Sequence, residues 1–213
     1  MKCGCVIVET RCIPNIREIV ENHIHFTDWP VTFFCGSRNT DFLLKELEGL
    51  NVSFINMHVL DIGISDYNNL LTSVKFWEVI PYDKILVFQH DSRLLRKGIE
   101  DFLQYDFIGA PIKHIRFPLM NGGLSLRTKK IMIDICRYFK YRGDVNEDMF
   151  LCDHVLAVNG KLPTIEVAKQ FGVETIYGLN SFGVHAIKKW LTPEQCETIL
   201  NQYSDKGILA SKR

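Results

Sequence analysis

Short apolar runs alternate with segments of helical periodicity through the first half of the chain, and this alternation constrains the fold most. Four apolar runs have the length and composition of buried strands. They are CVIVET (5–10), VTFFCG (31–36), VSFINMHV (52–59) and KILVFQH (84–90). Three segments between them are amphipathic: NIREIVENHIHF (15–26), TDFLLKELEGL (40–50, with Thr40 as N-cap) and DYNNLLTSVKFWEVI (66–80). This order predicts an α/β domain with a mostly parallel central sheet and helices on both faces.

The second half has a less regular pattern. Strands are predicted at DFIGAPI (106–112), GGLSLRT (122–128) and SFGVHA (181–186). Helices are predicted at SRLLRKGIEDFLQY (92–105), KKIMIDICRYF (129–139), EDMFLCDHVLAV (147–158) and TPEQCETILNQY (192–203). Thr192 would cap the last helix, with Pro193 at its first position.

Domain organisation follows from the absence of internal repeats and low-complexity linkers. The sequence predicts one domain over residues 1–213, with a nucleotide-binding half at about 1–92 and a catalytic half at about 93–213. The tail SDKGILASKR (204–213) suits a frayed end or the start of a linker. The sequence therefore leaves open whether the domain comes from a longer chain.

Composition narrows the class of function. The 25 basic and 25 acidic residues balance, which argues against a general nucleic-acid or anionic-membrane binder. The seven scattered cysteines suit small buried side chains in a reducing compartment. No signal peptide is recognisable, and no apolar stretch approaches the roughly 20 residues of a membrane helix. We expect a cytoplasmic protein.

Polar segments follow all four of the predicted parallel strands at their carboxyl ends, where open parallel sheets bind ligands. They are ETR (9–11), CGSRN (35–39), the polar stretch after the third strand and QHDS (89–92). An isolated carboxylate such as Asp91 at this edge could hold Mg²⁺ or Mn²⁺, with the phosphates of a nucleotide completing the coordination shell. The alternative is that Asp91 caps a following helix or makes a turn, and spacing alone does not decide between them.

Three later segments are further candidates. The glycine pair in FPLMNGGLSLRT (117–128) permits close approach of a sugar or phosphate, although for two glycines alone a plain turn is the better explanation. GDVNEDMFLCDHV (143–155) places carboxylates before a helix, where the helix dipole alone would favour them. Glu147 and Asp148 are adjacent and point about 100° apart, so at most one faces a cleft as a general base.

Histidines are the last candidates. His185, in NSFGVHAIKKW (180–190), is either a structural residue or the nitrogen ligand of a metal. His23 and His25 are predicted to lie on the surface near the end of a helix.

Taken in order, VFQHDS, DFLQYDFIGAP, NGGLSLR, NEDMF and FGVH resemble the GT-A-fold glycosyltransferases of large DNA viruses and many microbes. More narrowly, the chain is similar to the N-terminal, rhamnosyl-transferring domains of multidomain glycosyltransferases encoded by chlorella viruses. The resemblance extends from the first strand to about Trp190. It implies a GT-A-like (Rossmann-like) fold and a UDP-sugar-dependent hexosyltransferase, in the host cytoplasm if the protein is viral.

The resemblance also assigns roles to individual residues. The GT-A metal motif is Asp-x-Asp, and Gln89-His90-Asp91 stands in its place, so Asp91 would bind Mn²⁺ or Mg²⁺ together with His185. Asp148 would be the general base of an inverting reaction, with Glu147 beside it in the catalytic pair. The departure at Gln89 leaves the strictness of metal dependence open.

The same resemblance predicts the donor site. Thr10 and Arg11, together with Ser37 and Arg38, would hold the uracil and ribose. Asn121, Gly122 and Gly123 would form the floor of the sugar pocket. Arg38 or Arg127 suits a diphosphate or ribose, with a structural salt bridge as the alternative for Arg127.

The expected reaction moves a sugar, L-rhamnose or glucose, from UDP to a hydroxyl of a glycan acceptor, and a retaining course stays open. Further domains of the same polypeptide are expected partners. A sugar nucleotidyltransferase is one alternative, although ETRCIPNIRE (9–18) lacks the glycine-rich loop that such enzymes need. A degenerate nucleotide- or glycan-binding domain and a metal-dependent hydrolase are the others.

Overall fold

A computed structural model describes residues 1–204. Its strands are Cys3–Val8 (β1), Val31–Cys35 (β2), Val52–Asn56 (β3), Lys84–Phe88 (β4), Ser92–Leu94 (β5), Phe107–Pro111 (β6), Met120–Thr128 (β7), Gly172–Val173 (β8) and Gly183–His185 (β9). Its α-helices are Ile16–Thr27 (α1), Thr40–Glu46 (α2), Ile64–Leu71 (α3), Val74–Val79 (α4), Lys129–Tyr138 (α5), Glu147–His154 (α6), Ile165–Phe171 (α7), Ile187–Trp190 (α8) and Pro193–Ser204 (α9). Short 3₁₀ helices lie at Ile99–Phe102 and Leu156–Val158.

The central sheet has six strands in the order β3-β2-β1-β4-β7-β6. Strands β1 to β4 pair in parallel, and β7 runs antiparallel to both β4 and β6. Every residue of β2 and β4 is buried, as expected for strands covered on both faces. The predicted α/β fold with a mixed, mostly parallel sheet is confirmed.

A second sheet of three strands, in the order β5-β9-β8, lies beside the first. The helix predicted over 92–105 is wrong: Ser92–Leu94 is a strand that pairs antiparallel with β9. Asn22 on α1 donates to Leu94 O and accepts from Leu94 N. The backbone groups of Leu94 on the outer edge of β5 therefore also have hydrogen-bond partners. Gly98, at φ +113°, then turns the chain into the first 3₁₀ helix.

Helix boundaries differ from the prediction in several places. The helix predicted over 66–80 is two helices. The first ends at Leu71 with Thr72 as its C-cap, and Ser73 accepts from Phe76 N to cap the second. Thr40 is the first residue of α2 rather than its N-cap, and the buried Asn39 precedes it. Thr192 accepts from Gln195 N ahead of Pro193, as predicted.

Three further expectations concern the chain as a whole. All seven cysteines are free, and Cys12 is exposed. No helix within residues 1–204 combines the length and apolar character needed to cross a membrane. The predicted frayed or linker tail lies, from residue 205 onward, outside the described residues.

Candidate active site

A cleft of about 770 Å³ opens at the carboxyl ends of the parallel strands. Its volume falls within the range of small-molecule sites. Of the residues predicted from the sequence, it is lined by Thr10, Arg11, Asn121, Gly123, Glu147 and Asp148. The rule that ligands bind at this edge of the sheet therefore brings both halves of the predicted site together.

The loop after β1 forms one wall of the cleft. Arg11 makes a bidentate ion pair with the buried Glu9, and its Nη2 also lies 3.2 Å from His90 Nδ1. Thr10 Oγ1 donates to Asp61 Oδ1. This hydrogen bond is the main reason that the pKa of Asp61 lies below its usual value, and a hydrogen bond from Ile62 N lowers that pKa further. The wall therefore presents a guanidinium and two fixed carboxylates to polar atoms of a ligand.

The loop after β2 contributes no residue to the lining of the cleft. Ser37 and Arg38 are exposed, and neither lines the cleft, so their contact with a nucleotide stays a prediction. The residue that links the two loops is Asn39. Its side chain accepts from Gly36 N and donates to the carbonyls of Glu9 and Arg11.

The predicted metal ligands Asp91 and His185 meet at one point. Asp91 Oδ1 lies 3.1 Å from His185 Nε2, and Gln89 Oε1 lies 3.1 Å from the same nitrogen. Adjacent ligands of an octahedral cation, each at about 2.1 Å, are about 3.0 Å apart, so these spacings fit Mg²⁺ or Mn²⁺. Asp91 Oδ1 is buried without a hydrogen bond, as an atom reserved for a cation would be.

Carboxylate, amide and imidazole donors suit a hard or borderline divalent ion. Residues 1–204 contain no cluster of three or more His, Cys, Asp or Glu side chains arranged for a metal. Gln89 Oε1 is the third donor atom at this point, and Gln89 stands where the GT-A motif has its first Asp. Gln89 was not predicted as a ligand from the sequence.

Two basic side chains, Lys189 and His185, lie beside the Asp91 carboxylate. Lys189 Nζ donates to Asp91 Oδ2 at 2.8 Å, and its side chain is 65% exposed. Burial raises the pKa of Asp91, but His185 and Lys189 outweigh it and hold the pKa well below its usual range. Lys189 lines both the cleft and a cavity of about 290 Å³ behind Asp91, and Asp91 itself lines only the cavity.

Glycines let backbone and side chains approach closely at the floor of the cleft. A Cβ on Gly123 would lie 2.2 Å from His185 Nε2, and one on Gly122 would lie 2.6 Å from Asp148 Cβ. Gly122 N donates to Asp148 Oδ2 at 2.9 Å, and Asn121 Oδ1 accepts from Gly123 N. The glycine pair is thus part of strand β7, as predicted, and not the plain turn that was the alternative, and it joins the two ends of the site.

The acidic pair at the start of α6 divides into two roles. Glu147 accepts from Arg127 through both carboxylate oxygens, at 2.7 and 3.0 Å, and both residues are buried. Arg127 therefore forms the structural salt bridge that was the alternative for it. Asp148 is held by Gly122 N and Met149 N and has no ion-pair partner among residues 1–204. Of the two carboxylates, Asp148 is the one that lacks an ion-pair partner within residues 1–204.

Solved structures of low identity share this fold. The apo glycosyltransferase GlyE of Streptococcus pneumoniae TIGR4 matches 98% of the chain at 10% identity, with a TM-score of 0.58. S. aureus TarS (1–349), solved with UDP, matches 100% at 9% identity, with a TM-score of 0.54. The chain spans 64% and 67%, respectively, of those two proteins. At such identities the likeness shows the fold, and it is the GT-A-like fold predicted.

Sequence comparison gives two results. The small ribosomal subunit protein uS3 of Carsonella ruddii is 28% identical over 203 residues, covering 92% of each chain. This likeness is too low to show a family. Residues 49–185 match the family model described as "Protein of unknown function (DUF5672)". This match includes Asp91, Asp148 and His185 and covers more than half of the chain. The chain therefore belongs to the DUF5672 family.

Proposed function

We propose that this protein is a glycosyltransferase that moves a sugar from a UDP-sugar to a hydroxyl group of a glycan. One observation carries the proposal. The Asp91–His185 pair, which would hold a divalent cation, and the Asp148 carboxylate, which has no ion-pair partner among residues 1–204, lie at opposite ends of the Gly122–Gly123 floor. Direct displacement needs this pairing: positive charge beside the leaving group and a base beside the attacking hydroxyl.

The donor would lie along the parallel strand ends. Arg11 and the Thr10–Asp61 pair offer hydrogen bonds to uracil and ribose, and Lys189 is positioned beside Asp91 to contact the diphosphate. UDP in the solved TarS structure supports a uridine donor. Of the two candidate sugars, L-rhamnose is supported by the resemblance to the chlorella-virus domains, and glucose is the alternative.

Gln89, Asp91 and His185 would hold Mn²⁺ or Mg²⁺. A cation bound there would neutralise negative charge on the departing diphosphate. Lys189 would then exchange its contact with Asp91 for one with a phosphate oxygen. Its exposed, flexible side chain permits this movement.

Asp148 would remove the proton from the acceptor hydroxyl. Its Oδ2 accepts from Gly122 N, and carboxylate oxygens have further lone pairs for a second donor. Attack opposite the leaving group would invert the anomeric centre. Glu147, neutralised by Arg127, would fix the first turn of α6 and so the direction of Asp148.

The proposal is tested by measuring sugar transfer with purified protein, a panel of UDP-sugars and a mixed glycan acceptor. Asp148→Asn should lower turnover by about 100-fold or more while UDP binding is retained, because general-base assistance is lost. Asp153→Asn makes the same change at an exposed position of the same helix and should leave turnover unchanged. Undiminished turnover in Asp148→Asn would remove Asp148 from this role.

The other candidate functions predict different results. UDP binding without turnover of any UDP-sugar would favour a degenerate binding domain. Release of pyrophosphate from a nucleoside triphosphate and a sugar phosphate would indicate a nucleotidyltransferase. Hydrolysis without any requirement for an acceptor would indicate a hydrolase.

A further inference from the structure

Glu174 lies beside His185 because of the register of the small sheet. β8 and β9 pair in parallel, Gly172 with Gly183 and Val173 with Val184. The next residue along the chain is Glu174, directly after β8, in one case and His185, the last residue of β9, in the other. The antiparallel pairing of β5 with β9 places Ser92, and thus Asp91 before it, on the other side of His185. One imidazole therefore lies between two carboxylates.

The contacts of Glu174 are directed at that imidazole. Glu174 Oε1 lies 3.4 Å from His185 Nδ1 and accepts from Asn121 Nδ2 at 3.2 Å. Glu174 is 6% exposed, and within residues 1–204 no Lys or Arg pairs with it. A buried carboxylate without such a partner costs several kcal/mol in desolvation. Its position therefore needs a reason beyond packing.

Unsatisfied atoms surround the same ring. Asp91 Oδ1, Glu174 Oε2 and His185 Nδ1 are buried and make no hydrogen bond within the described residues. Buried polar groups are nearly always satisfied, so a concentration of exceptions at one point indicates a site that binds something else. A divalent cation at Nε2 would engage Asp91 Oδ1, and a proton fixed on Nδ1 would engage Glu174.

Metal-binding histidines commonly donate their other ring N–H to a carboxylate, which fixes the tautomer and raises the basicity of the ligating nitrogen. We infer that Glu174 is a positioning residue that holds His185 with its proton on Nδ1, so that Nε2 faces a divalent cation shared with Asp91. This inference rests on the divalent-cation site of the proposed function. Asn121 in turn orients Glu174 and links it to the Gly122–Gly123 floor.

The test measures binding of Mn²⁺ to the full chain, by the loss of the free-ion electron paramagnetic resonance signal, with and without UDP. Glu174→Ala should weaken Mn²⁺ binding by about 10- to 100-fold, the usual effect of removing such a carboxylate. Glu174→Gln keeps an oxygen that can accept from Nδ1–H and should recover much of the affinity. Glu166→Ala, at an exposed site on α7, should bind as wild type does.

A second readout does not depend on a variant folding. In wild type with Mg²⁺, long-range ¹H–¹⁵N correlation should show the His185 proton on Nδ1. A proton on Nε2 would overturn the inference, and so would wild-type Mn²⁺ affinity in a folded Glu174→Ala protein.

The outcomes separate this inference from the proposed function. If wild type binds UDP and Mn²⁺ but Glu174→Ala binds Mn²⁺ equally well, only the role of Glu174 falls. If wild type binds UDP but no Mn²⁺, the cation site and the role of Glu174 both fall while the donor site stands. If it binds neither, the proposed function fails as well.

Discussion

The buried ion pair between Arg127 and Glu147 offers a sharp test of how the site is supported. Two hydrogen bonds join the side chains, which are 0% and 4% exposed, respectively. Arg127→Met fills similar space but leaves the Glu147 carboxylate buried without its partner. Breaking such a pair from one side costs about 3–5 kcal/mol. For a chain of this size that corresponds to a fall in Tm of roughly 10 °C.

Removing both charges should lower the free energy of unfolding much less than removing Arg127 alone. In Arg127→Met/Glu147→Leu no isolated charge remains, and replacing a buried pair by apolar side chains is often close to neutral. The double variant also loses the bonds from Arg127 to Ser125 Oγ and Gly122 O, at about 1 kcal/mol each. We therefore expect its free energy of unfolding to lie within about 2 kcal/mol of wild type.

Urea denaturation followed by circular dichroism measures these differences. Arg137→Met is the matched control, because Arg137 pairs with Glu78 at 2.8 Å on the surface and should cost about 1 kcal/mol or less. If Arg127→Met costs no more than Arg137→Met, the pair does not stabilise the first turn of α6. The support proposed for Asp148 would then be wrong.

Two further predictions concern His23 and Gly123. Burial lowers the pKa of His23 to about 4 in the folded protein, so the imidazole binds a proton more readily in the unfolded chain. The free energy of unfolding should therefore fall by up to about 3 kcal/mol as the pH drops from about 6.5 to 4. Urea denaturation across this pH range should show that the free energy of unfolding falls more steeply in wild type and His25→Gln than in His23→Gln. Equal dependence on pH in all three proteins would contradict the role of His23. Gly123→Ala should weaken Mn²⁺ binding at least about tenfold, because the added Cβ would displace His185. Gly63→Ala should leave Mn²⁺ binding unchanged, because a Cβ there meets only Asp66 Oδ2, at 3.8 Å. Calorimetric titration with Mn²⁺ would expose an error if the two variants bound alike.

The parallel half of the fold could be predicted from sequence because its signals are local. Each of β1 to β4 is a short apolar run, and the residues that follow each strand necessarily meet at one edge of the sheet. Thr10, Arg11 and the Gln89–Asp91 segment were found in this way. Asp148 came from the resemblance, since its local pattern fits an ordinary helix start equally well.

The small sheet could not be predicted because its pairings are not local. Ser92–Leu94 has apolar spacing that suits a helix, and its actual partner, β9, lies some ninety residues later. The importance of Glu174 depends on the two-residue strand β8, which gives no periodic signal. Its role became visible only from the register that sets it beside His185.

His23 shows a related limit. It was predicted to lie on the surface because it is polar and close to the end of its helix, but it is fully buried. Its ring stacks on Phe88 with 3.9 Å between centroids, and its Nδ1 lies 2.8 Å from Ile19 O. A neutral imidazole can pack like an aromatic side chain, and only the position of β4 reveals which face of α1 it covers.

Calorimetric titration of UDP, with and without Mn²⁺, tests the central claim most directly. It should be made on wild type, on Asp91→Ala and on Asp101→Ala, which removes an exposed carboxylate elsewhere. We predict that Mn²⁺ strengthens UDP binding to wild type and to Asp101→Ala, and that this gain disappears in Asp91→Ala. Absence of UDP binding to wild type under both conditions would contradict the glycosyltransferase assignment.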